Sequence, residues 1–141
     1  MIDIENKVFD TVSKAVKTQY PDCLVSSMYL RTPASFPCVN IYEADNLVNK
    51  ASRTLDNIEN HANVMYEVNV FSNLAGERKT EAKAIAEIVD NIMAQLGFTR
   101  TMKSPIPNED ITIYRIVMRY SALVAAGKTE GEVTRYTIYN N

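Results

Sequence analysis

The sequence predicts an α+β domain, with a single mixed or antiparallel β-sheet of about five to six strands flanked by two main helices. Three observations carry that expectation. Two stretches space apolar residues as helices do, and several others alternate apolar with polar residues as half-buried strands do. The two kinds of segment do not follow one another in the regular order of βαβ units. A length of 141 residues suits one domain, spanning 1–141, with a core of its own.

The first helix is expected from Ile4 to Gln19, where Ile4, Val8, Val12, Ala15 and Val16 form a stripe that Phe9 widens. Asp3 stands where a cap is needed, and Pro21 prevents continuation after Tyr20. Two short strands follow, Cys23 to Leu30 and Pro37 to Glu43, joined by "RTPASFP", whose prolines favour an irregular connection. In the stretch 44–62, "ADNLVNKASRTLDNIENHA", the sparse apolar residues Leu47, Val48, Leu55 and Ile58 fit neither period, which predicts a long loop or arm. Val64, Tyr66, Val68 and Val70 then alternate with Met65, Glu67, Asn69 and Phe71, a strand with one apolar face.

The second helix is the clearest element. Ala82, Ile85, Ala86, Val89, Ile92, Met93 and Leu96 make its apolar stripe, with Glu81, Lys83, Glu87, Asp90, Asn91 and Gln95 predicted to face water. Gly97 stands where a left-handed residue closes helices. A strand is expected within "GFTRTMKSPIPNED", a long one from Ile111 to Ala125, a turn at "GKTEGE", and a last strand from Val133 to Tyr139.

The long strand raises a question of function. Tyr114, Ile116, Met118, Tyr120 and Ala122 share its core side, whereas Arg115, Val117 and Arg119 share the other. A solvated face has no need of a valine between two arginines, and a face that meets another chain has a use for one. Six of the eight tyrosines, Tyr29, Tyr42, Tyr66, Tyr114, Tyr120 and Tyr136, fall in strand candidates. Simple β-propensity accounts for them, and so does the enrichment of Tyr and Arg at subunit contacts.

Composition narrows the classes. A net charge of −2 and scattered cations give no basic surface for tight binding to nucleic acid or an anionic membrane. Cys23 and Cys38 lack the paired spacing of a zinc site and His61 is the sole histidine, so no metal centre is expected. The cysteines sit in apolar surroundings and read as buried free thiols of a reducing compartment rather than a disulfide. An acidic N-terminus and the lack of any long apolar run predict neither a signal peptide nor a membrane span.

No catalytic set is legible. His61 has no nucleophile signature beside it, and Glu43 with Asp45, or Glu109 with Asp110, read as solvated turn carboxylates. Gly76, Gly97, Gly127 and Gly131 are too dispersed to cradle a phosphate. The expectation is a protein with no catalytic residues and no cofactor. A regulatory domain enclosing a small ligand would need polar groups converging on an apolar concavity, and none is identifiable in the sequence.

One resemblance supplies a function. The strand "YEVNVFSN", the helix start "GERKTEAK", the helix end "MAQLGFTR" and the stretch "PIPNEDITIYRIVMRY", preceded by "DNIENHANV", resemble the tail terminators, the tail-completion and head-tail joining neck proteins of long-tailed bacteriophages. The likeness spans roughly the middle and C-terminal two thirds of the chain and rests on structural motifs. It implies a virion protein of the tail or neck, assembled in the host bacterial cytoplasm. The implied assembly is a homo-oligomeric ring, typically a hexamer, that ends tail-tube polymerisation and joins the tail to the head connector. The implied partners are further copies of the chain, the tail-tube protein and a head-tail connector or adaptor, with genomic DNA passing through without sequence-specific binding. A head-tail adaptor or stopper of the same neck is the alternative.

A closed ring needs two different patches that meet head to tail. Arg115, Val117 and Arg119, with Glu67 and Asn69 on the neighbouring strand, are the candidates for one patch. Leu47, Val48, Leu55 and Ile58 of the expected arm are the candidates for the other.

Overall fold

A computed structural model describes residues 1–48, 61–130 and 133–139, and the α+β expectation holds: two helices lie against one mixed sheet of six strands. Helix α1, Glu5–Gln19, turns Val8, Val12 and Val16 fully inward, and burying each valine contributes about 1.5–3 kcal/mol. The cap position falls on Ile4, which has no side-chain cap bond, and the Asp3 carboxylate one residue earlier accepts the Glu5 amide at 3.0 Å. The helix stops at Tyr20, because the residue before a proline is driven to extended backbone.

The strands are β1 Leu24–Ser26, β2 Cys38–Val48, β3 His61–Ser72, β4 Thr99–Ile106, β5 Tyr114–Glu130 and β6 Val133–Tyr139, with α2, Arg78–Leu96, between β3 and β4. The sheet runs β1-β2-β3-β5-β4, and β6 pairs with the far half of β5. Among the described residues the β1–β2 pair is parallel and the other pairs are antiparallel. Both helices cover the same face, where Val39, Ile41, Val64, Tyr66, Val68, Val70, Ile116, Met118, Tyr120 and Ala122 join the helix stripes in one cluster. Among the described residues the opposite face carries no helix.

Polar contacts at Glu81 and Asp90 tie α2 to the sheet. The Ser72 hydroxyl at the end of β3 donates to Glu81 in the first turn of α2, at 2.7 Å. Tyr120 donates to Asp90 at 2.8 Å while Arg100 pairs with the same oxygen at 3.1 Å. Asp90 is thus half-buried, held by Tyr120 of β5 and Arg100 of β4, instead of facing water as the sequence predicted.

Several element bounds correct the expectations drawn from the sequence. The expected arm is in part strand: residues 44–48 continue β2, and His61 and Ala62 open β3. The register steps between Glu43 and Asp45, so Ala44 is an extra residue that breaks the apolar alternation. The remainder of that expected arm, with Leu55 and Ile58, lies outside the described residues. The first short strand ends at Ser26, leaving Tyr29 in the connection. The long strand starts at Tyr114 instead of Ile111, because the Asp110 carboxylate accepts the Thr112 amide at 2.9 Å and its hydroxyl at 2.6 Å, making a turn. At its far end β5 runs to Glu130, with Glu130 paired to Val133 where a turn was expected.

Gly97 ends α2 with φ of 102°, and a Cβ built there would stand 3.0 Å from both Cγ2 and the carbonyl oxygen of Ile138. Left-handed backbone and a crowded β6 both exclude a side chain. Gly97→Ala is expected to lower the unfolding free energy by about 1–3 kcal/mol. Urea denaturation measures it, and an unchanged midpoint with unchanged slope would contradict the packing.

Cys23 and Cys38 are buried and unbridged, Cys23 in the core between sheet and helices and Cys38 on the other side of the sheet. Burial pushes the Cys23 thiol up to about 11 and the Cys38 thiol up to about 12. The thiolate is the reactive form, so both side chains are expected to resist a disulfide reagent in the native protein at neutral pH and to react once it is denatured. Rapid native-state labelling of either would contradict this placement.

Candidate functional site

The site is built on the helix-free face of the sheet by three adjoining strands. Antiparallel pairing sets Glu67 beside Arg119, Asn69 beside Val117 and Phe71 beside Arg115. On the far side of β3, Tyr42, Asn40 and Cys38 of β2 continue the same rows. Their immediate neighbours in sequence point into the core, so period-two alternation sends this whole set outward from the helices.

One carboxylate organises the face. Glu67, 8% exposed, accepts a hydrogen bond from the Tyr42 hydroxyl, one from Arg119 Nε at 3.1 Å and one from Asn69 Nδ2 at 3.4 Å. Asn69 in turn accepts from Arg115, through Nε at 3.0 Å and Nη2 at 2.7 Å. The Arg115 guanidinium also stands over the Phe71 ring, 5.4 Å from its centroid. A chain of donors therefore runs from Arg115 through Asn69 to Glu67, with Arg119 and Tyr42 closing on the same carboxylate.

The titration behaviour follows from these bonds. Burial alone would raise the Glu67 carboxyl, but the hydrogen bonds from Tyr42, Asn69 and Arg119 and the Arg119 charge more than offset it, holding the group below the usual carboxylate range. Tyr42 moves the other way, up to about 12, through burial and then its bond to Glu67. The proton stays on Tyr42 and the charge on Glu67. Such a pair holds an ion in place; it is not tuned to exchange protons near neutral pH.

Part of the face is covered by the chain itself. The connection between β1 and β2 crosses it, the Asn40 amide donating to the Met28 carbonyl and the Tyr29 ring meeting Tyr42 edge-on at 6.1 Å and 88°. On the β3–β5–β4 side the surface is made, among the described residues, by Arg119 and the half-buried Arg115 lying over buried Phe71, Asn69 and Val117.

Of the predicted contact residues, the fold brings Arg115, Val117, Arg119, Glu67 and Asn69 together, but in two layers. Val117 at 4% and Asn69 at 1% exposure are buried with Glu67 as support, whereas the Arg119 side chain is 48% exposed and Arg115 is half-buried. Leu47 and Val48 are strand residues at the far end of β2. Leu47, 59% exposed, pairs with Asn63 on the helix-free side, and Val48 pairs with Ala62 on the helix side. Leu55 and Ile58 are outside the described residues.

Sequence reasoning counted Tyr42 among the strand tyrosines open to a contact role but not its bond to Glu67, and it missed Phe71 and a groove at the β4–β5 turn. Phe71 lay in the alternating strand beside Glu67 and Asn69, and "PIPNEDITI" was a legible proline-rich turn; the Tyr42–Glu67 bond joins residues 25 apart in sequence, which no single-strand pattern shows. Among the described residues no group of three His, Cys, Asp or Glu side chains is placed to hold a metal, and no helix is long and apolar enough to cross a membrane.

Because the folded Glu67 titrates below its unfolded value, its contribution is present above about pH 4, the range of an unperturbed glutamate, and is lost as pH falls through the folded value. Glu67→Gln is expected to destabilise the protein by about 1–3 kcal/mol at neutral pH. The gap from wild type should close as the pH is lowered through the acid range, as read by urea denaturation. A gap independent of pH would contradict the charge assignment.

No protein-family model and no curated protein matches the chain.

Proposed function

We propose that this chain is a structural, non-enzymatic ring subunit at the head-proximal end of a long-tailed phage's tail, where it ends tube polymerisation and joins the tail to the head connector. The observation that carries the reading is the helix-free face, on which a buried carboxylate and amide hold two partly exposed arginines at fixed positions. A face meant only for water gains nothing from a buried charge, whose desolvation is costly unless every bond is made. A face meant for a partner gains fixed cations, since ordering them beforehand lowers the cost of binding.

Two further points support a ring. The open face has chemically different ends, cationic and apolar at Arg115, anionic and apolar at the end of β2, and heterologous contacts between unlike patches are what close a circle. A net charge of −2 suits a bore through which DNA slides, because a strongly cationic lining would hold phosphates. The resemblance of the middle and C-terminal segments to tail terminators names the ring.

Mass photometry over a concentration series, with and without purified tail tubes, tests the proposal. The expected outcome is a closed oligomer, or a monomer that binds tube ends and blocks their growth. A protein that stays monomeric and ignores tubes would overturn it, and binding only to assembled head connectors would move the role to adaptor or stopper.

A further inference from the structure

We propose that the groove at the β4–β5 turn, with Arg115 in its wall, receives Asp45 and Leu47 from the end of β2 in a second copy of this chain. The inference rests on the self-association proposed above and names the contact that makes it.

The groove, of about 370 Å³, is lined by Pro105, Ile106, Ile111, Ile113 and Arg115 among others. Ile111 is 83% exposed on its rim, an apolar side chain that the chain's own core leaves uncovered. Arg115 is the cation of this wall. Its bonds go to a neutral amide and its stacking to a neutral ring, and it makes no ion pair among the described residues. Arginine has five N–H donors, of which two are used here, so a full charge and a free side of the guanidinium remain for a carboxylate.

The complementary pair stands at the other end of the same face. Asp45 pairs with Met65 and Leu47 with Asn63, which puts both side chains on the helix-free side, two residues apart along one strand. Asp45 is exposed, and among the described residues its carboxylate accepts the neighbouring Asn46 amide, at 2.9 Å, and no cation. An anion with no ion pair among the described residues, beside an exposed leucine, thus matches a cation in the same state beside an apolar groove.

Geometry assigns the match to different molecules. Met65 pairs onward with Ser121 and Asn63 with Leu123, so the Asp45–Leu47 patch sits level with a part of β5 well beyond Arg115. At strand rise the separation is about 20–27 Å, too far for one copy to satisfy itself. Head-to-tail use of the contact continues into a ring; mutual use about a twofold axis stops at a dimer.

The test uses full-length protein. Arg115→Glu and Asp45→Arg are each expected to weaken self-association at least about tenfold in Kd by sedimentation velocity, and the double charge exchange in one chain to restore it. Because Arg115 also supports Asn69, Ile111→Asp is added: it lies on an exposed turn, and the same loss is expected without a change in thermal stability. A mixture of Leu47→Cys and Ile111→Cys proteins should form a disulfide-linked pair under mild oxidation that neither forms alone.

Restoration by the double exchange with the mixed disulfide supports the contact, and saturation at a dimer would support it while removing the ring. Self-association indifferent to all these changes would overturn the contact and leave the ring reading standing. Sensitivity to Arg115 and Ile111 but not to Asp45 or Leu47 would also overturn it, giving the groove to an acidic, apolar segment of another protein. A wild type that neither associates nor cross-links at millimolar concentration would overturn the contact, and the ring reading with it if the protein also ignores tail tubes.

Discussion

Glu67 is a carboxylate in the middle of a sheet, 8% exposed, with three donors directed at it. A buried charge is tolerated only when its bonds are nearly complete, and removing one partner exposes the protein to the full desolvation cost. Everything else on the helix-free face follows from meeting that demand. Tyr42 keeps its proton to serve Glu67, Arg119 lies along the strand to reach it, and Asn69 is oriented by it and so presents an oxygen to Arg115. Three strands are thereby fixed to one another by side chains as well as by their ladders.

The two faces of the sheet divide the work. The helix side is apolar and closed, with valines, isoleucines, Tyr66 and Tyr120 against the stripes of α1 and α2, and it supplies the stability of the domain. The other side is assembled from charges and amides where aliphatic residues of similar size would stabilise the monomer at least as well. Its organisation makes sense as preparation for contact: cations held in known places, a groove left unfilled at one end and an anion with a leucine left bare at the other.

Much of the fold was legible from period alone. The stripe from Ala82 to Leu96, the Gly97 stop and the alternation from Val64 to Phe71 each carry a strong local signal, because one face of each element is apolar throughout. Legibility failed where a local irregularity broke the period. One extra residue at Ala44 put the end of β2 out of phase and disguised strand as arm, and the Asp110 turn moved the start of β5 past Ile111. At the site, the pairing of Arg115, Val117 and Arg119 as an unusual face was visible within one strand. That Val117, Glu67 and Asn69 support the arginines from beneath depends on strand order and register, which no single-strand pattern contains. Tyr42 entered for the same reason, through a contact between residues far apart in sequence.

The central claim is that this polar face, and not the outer surface of the helices, is where the molecule meets its own copies. Amide hydrogen exchange compared between dilute and assembled full-length protein tests it most directly. The account predicts slowed exchange at residues 43–48 and 105–115 on assembly, with the exposed side of α1 and α2 unchanged. Slowing confined to the helices, with both ends of the helix-free face exchanging as before, would contradict it.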